Sequence, residues 1–500
     1  MPEKFVLAID QGTTGTTVTL FNRGSEMVGK VYEEFTQHYP RPGWVEHDAQ
    51  EIWEGTKSLL ERIFVETKVS PSQVAAIGVT NQRETVVLWD RRTGEPATRA
   101  IVWQCRRTAG ICDELRRQGL EPLFKEKTGL VLDAYFSGTK LKWIFDHYPE
   151  LKQRARQGGL AFGTIDSWLI YKLTGGQVHC TDYTNASRTL LFNLKELRWD
   201  PELLEVLDIP EAVLPEVRSS SEVYGCTADI GVLPAGIPIA GAAGDQQAAL
   251  FGQACFEPGM VKATFGTGAF ILMNTGPSLI TSKNGLLTTV AWGLDGQVEY
   301  ALEGSVFVAG AAVQWLRDGL GIIKNAAETE ELALSVPDTG GVYFVPSFVG
   351  LGAPHWNPYV RGMIVGLTRG TGKAHLVRAA LEAVVFQTRD VVAAMVEDSA
   401  LPLTELKVDG GASVNNFICQ FLADVTQVTV QRPQVFEITA LGAAYLAGLA
   451  VGVWADREEI RRLWKVDRTY APQLGPEERR QLLDGWTRAV ESAKSWTVTS

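Results

Sequence analysis

The stretch Phe5 to Leu20, FVLAIDQGTTGTTVTL, constrains the fold more than any other. Phe5, Val6, Leu7, Ala8 and Ile9 form an apolar run of strand length, and Val18, Leu20 and Phe21 resume it. Between them stand Asp10, Gln11, Gly12, Thr13, Thr14, Gly15, Thr16 and Thr17. A carboxylate at a strand end, followed by glycines and hydroxyls, lets backbone N–H groups and Thr side chains close on phosphate oxygens while Asp10 faces a metal ion. The same residues also suit a plain β-hairpin turn. A P-loop is ruled out: the GxxxxGK[ST] spacing is missing, and a strand rather than a helix follows.

A chain of 500 residues is too long for one ordinary core, so two or three domains are expected. Its net charge of −11 argues against nucleic acid or an anionic membrane surface as partner. No apolar run reaches bilayer length, and Glu3 and Lys4 lead straight into the first strand, unlike a signal peptide. The six cysteines have no CxxC spacing, which suggests free thiols in a reducing, cytoplasmic compartment.

Further along, YPRPGWVEH (39–47) has the punctuation of an ordered loop, and Asp48 is placed to cap a helix with Glu51 as its capping-box partner. VAAIGVTNQRETVVLWD (74–90) repeats the opening layout of strand, polar segment and strand, with Arg83 and Glu84 where the first strand ends. These two either form a surface ion pair or offer a donor fork and an acceptor to a polyol. Arg106, Arg107, Arg116 and Arg117 suggest either an anion site or, as scattered helix arginines more often are, a solvated face. In IPIAGAAGDQQAALF (237–251), Asp245 either sits at the floor of a cleft or caps the helix that follows.

The chain then starts again. VKATFGTGAFILMN (261–274) is once more a strand, a Gly/Thr turn and a strand, which suggests two similarly folded domains gripping one phosphate chain. A third glycine turn, LKVDGGASVNN (406–416), leaves room for a nucleoside, and Asn415 there serves a sugar or caps the next helix. RGTGKA (369–374) lacks the first Gly and the final Ser/Thr of a Walker loop and reads as a loop before a helix starting near His375. Pro476 opens a last helix whose apolar stripe packs on the second domain or on another subunit.

DQGTTGTT (10–17), AAIGVTNQRET (75–85), IVWQCRRT (101–108), AGAAGDQQAALFGQ (240–253), TFGTGAF (264–270), GLGAPHWNPYVRG (350–362) and KVDGGASVNNF (407–417) together resemble the FGGY carbohydrate kinases of the actin-like ATPase superfamily, in particular the members that phosphorylate glycerol. The likeness runs from about residue 5 to residue 500. It implies an α/β fold of two actin-like (ribonuclease H-like) domains, 1–253 on the glycerol and phosphate side and 254–500 on the nucleotide side. Each is a mixed central sheet flanked by helices, with the active site in the cleft between them. The implied activity is ATP-dependent phosphorylation of glycerol with Mg²⁺, in a cytoplasmic homodimer or homotetramer. Another sugar kinase of the family, for a pentulose or gluconate, and a non-catalytic nucleotide switch are the alternatives.

The resemblance also implies roles. Asp245 is the general base, and Asp10 holds the metal. Arg83, Glu84, Asp245 and Gln246 bond the polyol hydroxyls, and Trp103, Tyr135 and Phe270 wall the pocket. Thr13, Thr14, Gly15 and Thr267 meet phosphate, while Gly310, Gln314, Gly411 and Asn415 hold the rest of the nucleotide. One departure stands out: relatives commonly end the first turn in Arg, as in DQGTTSSR, where this chain has Thr17. Weaker nucleotide binding is the expected result. GVLPAGI (231–237) has no cation for fructose 1,6-bisphosphate, and no His lies between His179 and His355 for phosphotransferase control, so neither regulation is expected.

Overall fold

The computed structural model describes residues 3–357 and 359–496. Pro358 of the GLGAPHWNPYVRG stretch and the last four residues, to which the resemblance extends, lie outside the described residues.

Two mixed sheets follow one plan. In the first, Phe5–Gln11 (β1) and Gly15–Asn22 (β2) form an antiparallel hairpin, and Met27–Glu34 (β3) extends it. Val74–Asn81 (β4) lies parallel on the other side of β1. Ser221–Cys226 (β5) closes that edge, antiparallel to Pro238–Gly244 (β6), which is parallel to β4. In the second sheet, Met260–Phe265 (β7) and Ala269–Gly276 (β8) form the equivalent hairpin. Leu287–Leu294 (β9) and Gln297–Val306 (β10) extend it on one side. Glu405–Asp409 (β11) and Val430–Pro433 (β12) add in parallel on the other, and Val466–Tyr470 (β13) ends the sheet antiparallel. The order β3-β2-β1-β4-β6-β5 thus recurs as β10-β8-β7-β11-β12-β13, with β9 added. The second start read from the sequence is a repeat of topology.

Residues 74–90 do not repeat the hairpin. Val87–Asp90 pairs with Leu160–Gly163 in a separate two-stranded sheet. The chain leaves β4 through Glu84 in the left-handed region (φ 63), and Val86 bridges to Ile101.

Helices cover the sheets. Ala49–Thr67 (α1) is capped by Asp48, whose Oδ1 accepts from the N–H groups of Gln50 and Glu51 at 2.9 and 3.3 Å. Glu51 does not complete the capping box; its carboxylate accepts from the backbone and hydroxyl of Thr36. Asp245–Gly252 (α2) follows β6. Lys373–Ser399 (α3), two residues longer at its start than expected, and Asn416–Thr426 (α4) line the second sheet. Ile438–Ala450 (α5) returns to the first sheet, where Gly78 of β4 is in such close contact that a Cβ there would overlap the Ala443 carbonyl. Pro476–Ser495 (α6) packs on the second half, with Trp486 stacked on Phe386 at 5.2 Å.

One core joins the halves: Val6, Ala8, Ala76 and Ala243 of the first sheet and Leu272 and Trp292 of the second enclose Leu250 and Phe251 of α2 and Leu441 and Tyr445 of α5. Among the described residues, no helix is long and apolar enough to cross a membrane.

Candidate active site

Strand ends bring Arg83, Glu84 and Asp245 together. Arg83 and Glu84 follow β4, and Asp245 stands where β6 gives way to α2. Arg83 Nε lies 3.2 Å from Asp245 Oδ1, and its Nη2 donates toward the Tyr135 hydroxyl at 3.5 Å. Trp103 meets Tyr135 edge-on, ring centroids 5.5 Å apart, and its Nε1–H donates to Thr13 Oγ1 of the first turn. The Asp245 side chain is 31% exposed whereas those of Arg83 and Glu84 are 2% and 1% exposed. Of these three the aspartate alone is partly exposed, and the buried Arg83 guanidinium stands behind it.

Arg83 and Glu84 are therefore not a surface ion pair. Their Nε and Oε1 atoms are 3.8 Å apart in the interior, and Arg83 is held more tightly by Glu303 of β10, at 2.5 and 3.0 Å. Asp245 is not the cap of α2 either: the N-cap position is Gly244, and Asp245 Oδ1 accepts from the N–H of the next residue, at 2.7 Å. Burial raises the Asp245 carboxyl above the usual range, opposed by the charges of Arg83 and Lys262.

Gln246 is almost fully buried, and its Oε1 accepts from Lys262 Nζ. Phe270 lies on β8 opposite Thr264 and Ser305, half-buried, and its ring has no partner among the described aromatic pairs. Nor do the arginines of the 101–117 region form one solvated face. Arg107 is buried between Trp44 and Trp143, 3.9 and 4.8 Å from their ring centres, and paired with Glu46 at 2.7 Å. Arg116 and Arg117 do form surface pairs, with Asp113 and Glu114.

The first turn is closed by the Gly12 N–H donating to the Gly15 carbonyl at 2.9 Å. Gln82 donates to the Gly12 carbonyl at 3.2 Å and Gln37 to that of Thr13 at 3.1 Å. Asp10 sits at the end of β1 opposite Thr17. Burial, with the carboxylates of Asp245 and Glu437, pushes it up to about 8, against the charge of Lys30. A carboxylate this short of positive charge fits a hard divalent cation that takes its remaining ligands from phosphate and water. Among the described residues, no group of three or more His, Cys, Asp or Glu side chains forms a protein-only cage.

In the second half, Thr267, Gly310, Gln314, Gly411 and Asn415 line one cavity of about 730 Å³, walled by Val313, Leu334, Leu381, Val414 and Ile418. The Thr267 carbonyl accepts from the N–H groups of Ala309 and Ala311, which joins the second turn to the short helix Gly310–Gln314. Gly310 is needed there, because a Cβ would lie 2.6 Å from the Gly266 oxygen. Asn415 caps α4 through Ile418 N–H and also lines the cavity.

Sequence reasoning missed Arg188, Glu303 and Lys262, all fully buried around Arg83 and Gln246. Glu303 and Lys262 each left a trace, as a charge inside a strand of mostly apolar residues.

Two sheets of one plan, each with a Gly/Thr hairpin turn, and an aspartate–guanidinium pair together with a nucleotide-sized cavity, are the parts of a phosphoryl-transferring enzyme. The chain belongs to the FGGY family of carbohydrate kinases, whose N-terminal domain matches residues 5–252 and whose C-terminal domain matches residues 261–451. It is 60% identical to a glycerol kinase of Carboxydothermus hydrogenoformans over 498 residues, covering 100% of both chains. It is 59% identical to glycerol kinase 2 of Thermotoga maritima over 493 residues, covering 99% of each. The crystal structure of Plasmodium falciparum glycerol kinase with ADP superimposes with a TM-score of 0.93 at 36% identity, with 98% of both chains covered.

Proposed function

We propose that this kinase transfers the γ-phosphoryl group of ATP to the 3-hydroxyl of glycerol, giving sn-glycerol 3-phosphate and ADP. The observation that carries the proposal is the pairing of the partly exposed Asp245 with buried Arg83 at 3.2 Å, beside Tyr135 and Trp103. Glycerol is small, uncharged and covered in hydroxyls, so a selective site needs donors and acceptors at fixed spacing with apolar walls for its C–H faces. Arg83 and Glu84 supply the first, with Asp245 and Gln246, and the rings of Trp103, Tyr135 and Phe270 the second.

Asp245 accepts the proton of the attacking hydroxyl, and a carboxyl raised above the usual range by its partial burial suits that work. Thr13, Thr14 and Gly15 hold phosphate from the first half and Thr267 from the second. Gly310, Gln314, Gly411 and Asn415 seat the rest of the nucleotide in the second-half cavity. Asp10 would hold Mg²⁺, which when bound neutralises charge on the β- and γ-phosphates. The domain boundary falls after residue 253, and the cleft between residues 1–253 and 254–500 closes to exclude water as a rival acceptor. The cytoplasmic, homodimeric or homotetrameric setting implied by the resemblance belongs to the same reading.

The test is ADP release across glycerol, xylulose and gluconate, with Asp245→Asn as control. Glycerol should lead, and the variant should lose on the order of 10²–10⁴ in kcat. A pentulose or gluconate turned over faster than glycerol would reassign the substrate. Full function in Asp245→Asn would point to a non-catalytic nucleotide switch.

A further inference from the structure

Behind the proposed polyol pocket lie four buried charged side chains from both halves of the chain, two of which have no place in the mechanism above. Arg188 Nε donates to Glu84 Oε1 at 2.7 Å, and its Nη2 donates to Glu303 Oε1 at 2.9 Å. Glu303, from β10 of the second sheet, also accepts both Nη groups of Arg83. Arg188 and Glu303 are both fully buried, with their charged ends spent on Arg83, Glu84 and each other.

Their positions set what Arg83 and Glu84 have left to offer. With both Nη groups drawn toward Glu303, the Nε edge of Arg83 is the one that faces Asp245. Arg188 takes one oxygen of Glu84, a residue already held at φ 63, where a non-glycine backbone rarely rests. The Ser137 hydroxyl fixes the Glu84 carbonyl as well, at 3.1 Å. Arg188 itself is wedged over the Phe136 ring, 5.4 Å from its centre. Removing either outer charge leaves a buried partner unpaired and free to turn toward another group, which strains the geometry of the pair without touching the nucleotide cavity.

We infer that Arg188 and Glu303 are positioning residues for polyol recognition: as a salt-bridged pair joining the two halves, they fix the guanidinium of Arg83 and the carboxylate of Glu84 in the pose that receives the substrate. The inference rests on the polyol pocket proposed above. It places the acceptor pocket at a junction of the halves, so a defect in the pair appears as a loss of acceptor affinity.

Glu303→Gln and Arg188→Lys test it in the full-length enzyme; the lysine keeps the charge but cannot span both carboxylates. Whichever of glycerol, xylulose and gluconate the wild type turns over fastest is the acceptor used, so a wrong substrate assignment shows in the wild type and not in the variants. The expected result is an acceptor KM raised about tenfold or more in Glu303→Gln and severalfold in Arg188→Lys, with the KM for ATP within about twofold of wild type. Folding is checked by circular dichroism. If Glu303→Gln fails to fold, Arg188→Lys decides by the same split. Folded variants with an unchanged acceptor KM, or with acceptor and ATP KM values raised together, overturn the inference.

Discussion

Trp103 donates its indole N–H to the Thr13 hydroxyl at 2.9 Å, joining the wall of the proposed polyol pocket to the turn proposed to hold phosphate. The two proposed substrate sites therefore share a bond. Trp103→Phe keeps most of the apolar wall and removes the donor, leaving Thr13 free to rotate. Losing one such bond costs about 1 kcal/mol, or roughly fivefold in affinity. The KM values for glycerol and for ATP should both rise by that order in steady-state kinetics. A change confined to glycerol would mean that the bond has no part in phosphate binding.

The same turn depends on a neutral histidine. His47, fully buried, has Nε2 at 2.8 Å from Gln37 Oε1 and Nδ1 at 3.3 Å from Gln82 Nε2. Because Gln37 uses its amide N–H groups on the Thr13 and Phe35 carbonyls, its oxygen must accept, which puts the histidine proton on Nε2. Burial, with the charge of His38, lowers His47 from 6.5 to about 4. A base whose pKa falls on folding contributes stability that is complete above pH 6.5 and is lost as pH drops through 4. The amount is at most about 3 kcal/mol. Urea unfolding of wild type between pH 7 and 4 should show that loss. His47→Gln should flatten the slope, and an equally steep slope in the variant would rule out His47 as its source.

The local features were legible in the sequence. Both hairpin turns, the capping aspartate and the renewed start at Val261 are set by neighbours a few residues apart. Long-range partners were not. Arg83 and Glu303 stand 220 positions apart, and nothing in the local pattern of either predicts the other. Arg83 beside Glu84 stayed open between a surface pair and a polyol site because adjacent opposite charges are usually exposed; burial here depends on Glu303 and Arg188 arriving from distant segments. Val87–Asp90 read as a strand after a polar segment, and so it is, but strand character does not name the strand it pairs with. The proposed site residues were found through a family pattern, since periodicity alone left Asp245 divided between a cleft and a helix cap.

Thr17 tests how much a fixed charge matters near the phosphates. It lies directly opposite Asp10 in the β1–β2 pairing, so the two side chains share a face of the sheet. An arginine there would stand beside a carboxylate that burial and its acidic neighbours push up to about 8. It would favour the ionised form of Asp10 and add a cation next to the proposed phosphate turn. Thr17→Arg should therefore lower the KM for ATP severalfold, by about 1 kcal/mol of added attraction for a partly solvated charge. A higher KM would show that the arginine blocks the site or ties up Asp10.

The halves are joined where α2 and α5 cross, and glycine sets how closely they approach. A Cβ on Gly442 would overlap the Ala248 carbonyl oxygen, and one on Gly252 would overlap that of Ile438. Backbone oxygens cannot move aside like the end of a flexible side chain, so Gly442→Ala must push the helices apart. Both helices belong to the core that contains residues of the two sheets, and the disturbance reaches each half at once. Overpacking of this kind costs about 1–3 kcal/mol, and more where backbone must shift. Wild type should unfold in one cooperative transition, and Gly442→Ala should lower its midpoint without splitting it. A variant that melts in two steps, with one half unaffected, would show that the halves fold independently and that the crossing only holds them side by side.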